Sequence, residues 1–178
     1  MLLPAEVFAK ALTDYFPQKV ARALSLYSNV LNDLSEPSLC RLTENFPIYR
    51  LTYNRRVGFW QTITFYANPL KPSIIVHGGQ LLEPKRAIRT RTFVLSLKDS
   101  KNFLSEIRST GFWNSPALDK SLETAPHTHH SLYLDAEPWI VEGLDKGKYH
   151  VVMRDSTTGD CSRLNEIFYL QAKKTGCL

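Results

Sequence analysis

Cysteine is scarce. The chain of 178 residues holds three, Cys40, Cys161 and Cys177, too few and too scattered for a disulfide framework or a zinc knuckle. Three free thiols are the simplest expectation, with one bridge and a leftover thiol as the alternative. Long apolar runs are missing as well, since no stretch approaches the roughly 18 residues that a spanning helix needs. The opening MLLPAEVFAKALTDYF lacks a basic start and is broken by Glu6, Lys10 and Asp14, so it is not expected to act as a signal peptide. A cytoplasmic location is the expectation; a periplasmic one is the alternative if a leader has been removed. There is no phosphate loop, no GxGxxG, no GxSxG elbow and no HExxH, and no serine or cysteine has a partner that spacing would set beside it. These absences speak against the familiar enzyme classes, and no cofactor is expected.

What is present is ordinary globular material. Hydrophobic residues make up 43% and charged residues 22%, close to the average for a folded domain, and the length suffices for one sizeable core. Residues 1–178 are therefore expected to form a single domain, with a helical segment over 1–36 and a sheet with helices over 48–178. Lys and Arg outnumber Asp and Glu by 22 to 17, a net charge of +5, a modest surplus that favours an acidic partner. The basic residues gather at Arg50, Arg55 and Arg56 and again at Lys85, Arg86, Arg89 and Arg91. A dedicated nucleic-acid binder shows a denser stripe than this. The aromatics, 11% of the chain, recur at core-like periods and not as an exposed stacking platform.

The periodicity divides the chain. Val20, Leu24, Tyr27, Leu31 and Leu34 recur at helical spacing, preceded by a shorter helix marked by Phe8, Leu12, Tyr15 and Phe16; together they read as an N-terminal helical pair. From Ile48 the period becomes two. Strands are expected over 48–54, 59–67, 73–77 and 88–96, joined by short turns and hence antiparallel. Ser96 with Asp99 resembles a capping box for a helix buried through Phe103, Leu104 and Ile107 and stopped by Gly111. A polar loop from Asn114 to Ser131 follows, then strands 139–144 and 148–154 around Asp145-Lys146-Gly147, then a C-terminal helix carrying Leu164, Ile167, Phe168 and Leu170. The fold class is α+β: an antiparallel sheet of about five to seven strands with packed helices, covered on one face and partly wet on the other.

Three constellations are candidates for chemistry. A three-residue loop at 145–147 sets Glu142 opposite His150 on one sheet face, with Arg154 further along. Such a pair can serve as a general base with its orienting carboxylate, Arg154 holding an anion; the plainer alternative is mutual satisfaction of two polar groups. His127, His129 and His130, with Glu123 or Asp135, are candidate metal ligands within a segment that otherwise reads as a surface loop. Arg89 and Arg91 share one strand face and are expected to point away from the following helix, because covering them would bury charge. With Arg50 they would form a basic patch for an acidic partner. His77 beside Gly78-Gly79 reads as structural.

Phe112-Trp113, Trp139-Ile140-Val141-Glu142-Gly143 and Gly147-Lys148-Tyr149-His150-Val151-Val152-Met153-Arg154 resemble a family of uncharacterised bacterial proteins. Its signature is FW … W(I/L)xEG … GxYHVVxR followed by a C-terminal helix. Ile48-Tyr49-Arg50-Leu51 and the Phe59 to Tyr66 segment are similar to that family's first two strands. The resemblance covers about residues 48–178 and implies a bacterial origin and an α+β domain. It carries no activity or site residue, and Asp155-Ser156 departs from the family's Arg-Trp-Ser-Pro continuation.

The expectation for function is a non-enzymatic protein-binding domain, most concretely an immunity-type protein that neutralises a bacterial toxin through an acidic surface of it. A hydrolase-like enzyme using Glu142 and His150 is one alternative. A nucleic-acid-binding protein using Arg50, Arg55, Arg86, Arg89 and Arg91 is the other.

Overall fold

The computed structural model describes residues 27–56, 58–80, 88–116, 139–154 and 162–176. Six antiparallel strands form one sheet: β1 (Ile48–Arg56), β2 (Phe59–Tyr66), β3 (Ser73–Gln80), β4 (Arg89–Val94), β5 (Trp139–Asp145) and β6 (Lys148–Arg154), in the order β4-β3-β2-β1-β5-β6. Three helices accompany it: α1 over residues 27–33, α2 (Leu97–Ser109) and α3 (Ser162–Lys174). This is the α+β antiparallel architecture expected. The shorter N-terminal helix, with Phe8, Leu12, Tyr15 and Phe16, lies outside the described residues, as do Val20 and Leu24. No helix among the described residues is long and apolar enough to cross a membrane.

Alternation along the strands sets up two faces. Tyr49, Leu51, Ile63, Phe65, Ile74, Val76, Val141 and Val152 line one, and α2 and α3 cover it with Phe103, Ile107, Leu164, Ile167 and Phe168. Ser96 caps α2, accepting the Asp99 N–H at 3.1 Å. The helical period of α3 buries Ala172 and Gln171 after Phe168, and Leu170 faces out. The first helix stripe is seen in Tyr27, Leu31 and Leu34, all buried with Val30. β3 runs past His77 to Gln80, because Gly78 and Gly79 remain paired with Gln61 and Trp60 of β2.

The second face is covered where the sequence suggested water. α1 and the segment after it lie over β1, β2 and β5, so Val30 and Leu34 meet Trp60, and Leu39 meets Ile48 and Leu144. The wet part of this face is the β4 end. There Thr90, Thr92 and Val94 are exposed.

Candidate functional site

A row of polar side chains crosses the covered second face. The register sets Arg50 of β1 between Thr64 of β2 and Glu142 of β5, and Thr52 beside Thr62, which in turn faces His77 of β3. Arg50, Thr52, Thr62, Thr64 and Glu142 are wholly buried. The alternation of these residues with apolar ones reads as a solvated face from sequence alone; in the structure, the N-terminal segment brings its own polar groups to meet them.

Arg50 is the hub. Its Nε donates to Glu142 Oε2 at 2.7 Å and its Nη2 lies 2.5 Å from the same oxygen. Nη1 donates to the Pro37 carbonyl at 2.7 Å and to Glu36 Oε2 at 3.3 Å. Glu142 also accepts from both flanks, Tyr27 donating to Oε2 and Tyr149 to Oε1 at 2.6 Å. Glu36 Oε1 accepts from Thr62 at 2.5 Å and from Thr64 at 3.4 Å, and lies 3.1 Å from His77 Nδ1. Residues from the N-terminal segment and from the β5 strand thus close around one guanidinium.

The electrostatics follow from this closure. Burial disfavours the Arg50 charge, but the Glu142 and Glu36 carboxylates beside it outweigh this and hold the guanidinium more firmly protonated than usual. Burial also pushes the Glu36 carboxyl upward; the adjacent His77 ring, the Arg50 charge and the bond from Thr62 overcome this and leave it below the ordinary carboxylate value. Tyr27 and Tyr149 are raised well above a free phenol by burial and then by Glu142, so both stay neutral donors. The oxygens of both carboxylates are occupied by donors from the sheet and the N-terminal segment, and the cluster works as an internal clasp between the two.

The structure does not bring Glu142 and His150 together. The hairpin turns on two residues, Lys146 and Gly147, with φ of 51° and 75°, and Asp145 pairs with Lys148. Glu142 then faces Val151, and His150 faces Gly143. A register one residue from that expected sends every side chain of β6 to the opposite face. His150 lies on the helix-covered face, its Nε2 3.1 Å from the Ser115 carbonyl and its ring against Phe112 and Trp113. Burial lowers its pKa, favouring a neutral ring that donates to that carbonyl. Arg154 donates to the Pro116 and Met153 carbonyls, both at 2.8 Å. These two side chains fasten residues 112–116 to β6.

The expected basic patch is also redistributed. Arg50 is buried on the second face, whereas Arg89 and Arg91 pair with Gly78 and Val76 and so project from the helix side, contrary to expectation. Both are nonetheless exposed, on an edge strand where only Phe93 packs against the helix-covered core, and Arg91 Nη1 donates to the Gly176 carbonyl just past α3 at 3.4 Å. His127, His129 and His130 lie outside the described residues, and among the described ones no three His, Cys, Asp or Glu side chains converge as metal ligands. Cys40 is a free thiol near Ser38; Cys161 and Cys177 fall outside. His77, expected to be structural, contributes to the clasp. Glu36, Thr62, Thr64 and Tyr149 were not singled out as site residues by sequence, and Tyr27 was read only as part of a helix stripe; polar alternation in β2 is a signal for Thr62 and Thr64 alone.

Compared with known protein families and with curated proteins, the chain matches no family and no individual protein.

Proposed function

We propose that the chain is a non-enzymatic protein-binding domain, most concretely an immunity-type protein that neutralises a bacterial toxin by holding an acidic part of it. The observation that carries this reading is β4, an edge strand with Arg89 and Arg91 exposed on one face and Thr90, Thr92 and Val94 exposed on the other. Arginine suits bidentate pairing with carboxylates and is favoured at interface hot spots. Val94 is 60% exposed and Leu97 56% exposed, adding apolar contact beside the charges. The residues with catalytic potential are committed elsewhere: Glu142 to Arg50 and two tyrosines, His150 and Arg154 to backbone carbonyls.

Co-expression with the products of genes adjacent to its own tests the reading. One acidic product that arrests growth alone should be tolerated alongside this chain and co-purify with it. Joint reversal of Arg89 and Arg91 to Glu should weaken the complex at least about tenfold. Absence of any such toxic, co-purifying product would overturn the proposal.

A further inference from the structure

We infer that β4 takes up an extended acidic segment of the partner as an added strand of the sheet, an inference that rests on the protein-binding reading above. The hydrogen-bond phase of the edge is legible. Leu95 N–H donates to the Pro72 carbonyl at 2.8 Å, and Pro72 and Leu95 continue the register in which Ser73 faces Val94. In an antiparallel ladder such bonded pairs recur at every second residue. Phe93, Arg91 and Arg89 therefore turn their backbone groups toward β3, and Thr90, Thr92 and Val94 turn theirs outward. Among the described residues no strand pairs with that side.

The edge is regular. Six consecutive pairs join β3 to β4 without a bulge, and Arg89–Val94 contains no proline, so the devices that block strand addition are missing. What guards it is charge. Arg89 and Arg91 stand exposed on β4, which carries no acidic residue. Two copies pairing through β4 would set arginines against arginines on one face, which is unfavourable. An acidic strand meets the same arginines as partners, so the edge discriminates against its own copy and for a carboxylate-bearing segment. The opposite edge is less open: β6 is buried over 151–154 and carries residues 115–116 on His150 and Arg154.

Amide hydrogen exchange of the full chain, followed by NMR, tests this with three synthetic peptides. One alternates Glu with Val; the second has Lys for Glu; the third is the acidic peptide N-methylated at alternate amides. The acidic peptide should slow exchange at Thr90, Thr92 and Val94 at least about tenfold, and the other two should not. The R89E/R91E chain should prefer the Lys peptide. Equal binding of the N-methylated peptide, or no protection at the three outward amides, overturns strand addition. If that happens while charge reversal still breaks the co-purified complex, the partner docks through side chains and the protein-binding reading stands. If reversal leaves the complex intact, β4 is not the seat and strand addition falls while the protein-binding reading stands; if no partner co-purifies at all, both fall.

Discussion

Arg50 carries a charge at a place with no water, held by two carboxylates that lie 14 and 92 residues away along the chain. Breaking such a buried pair is costly because the remaining charge is left uncompensated, by about 3–5 kcal/mol in general. Glu142→Gln is expected to lose stability on that scale in urea denaturation, and the triple change E36Q/R50M/E142L to recover part of it, since no buried charge is then left without its partner. Equal losses in the single and triple variants would show that packing, not charge, dominates there. Glu36 adds a pH dependence. Its folded pKa lies below the ordinary 4.5, so the ionised carboxylate stabilises the fold above that value, and the contribution is lost as pH falls through the lower folded pKa. His150 acts with the same sign over a higher window. Its depressed pKa favours the neutral ring, so stability declines as pH falls below the ordinary 6.5. Glu36→Gln should be less stable than the parent at neutral pH and show a shallower acid slope below about pH 4.5.

At the scale of elements, the sequence was most informative where periodicity and caps agreed. All six strands stand close to their expected places, and α2 has both its Ser96 cap and its left-handed Gly111, at φ 70°. The β5–β6 turn shows why a site can be lost while the fold is kept. Asp145-Lys146-Gly147 fits either a two- or a three-residue loop, and only the register distinguishes them; one residue's difference separated Glu142 from His150. Lys146 adopts a left-handed conformation that Asn enters more readily, and Asn-Gly is the preferred pair for this turn. Lys146→Asn is therefore expected to raise stability by about 0.5–1 kcal/mol in urea denaturation. Gly143 is fixed by a close approach: a Cβ there would meet Phe112 at 2.6 Å and Tyr49 at 3.0 Å. Both rings are buried in the main core, with little room to move. Gly143→Ala should cost about 1–3 kcal/mol by forcing those rings aside, and unchanged thermal stability would show that the ring cluster is looser than it looks.

For the molecule as a whole, the clasp was illegible because its members are far apart in sequence and individually ordinary. A threonine or arginine alternating with apolar residues in a strand signals a face, and nothing local says whether water or another segment will cover it. The cover comes from residues 27–47, and the contacts it makes decide how the molecule unfolds. Tyr27 reaches Glu142 on β5, while Glu36 reaches Arg50 on β1, Thr62 on β2 and His77 on β3. Undocking this segment would strip Arg50 of Glu36 and the Pro37 carbonyl, remove the Tyr27 donor from Glu142, and expose Trp60 to solvent. Each buried group so stranded costs about 1–3 kcal/mol, and more where it is charged. Opening the segment alone should then cost nearly as much as opening the sheet. The chain is expected to unfold in one transition, with the Leu34 amide just past α1, which bonds to the Val30 carbonyl at 2.9 Å, exchanging through the same global opening as Ile63 in β2. Native-state hydrogen exchange in rising denaturant measures both. A Leu34 amide that exchanges at much lower cost than Ile63 would mean that the N-terminal segment is an appendage on a self-sufficient sheet, and that the buried ion pairs tolerate water.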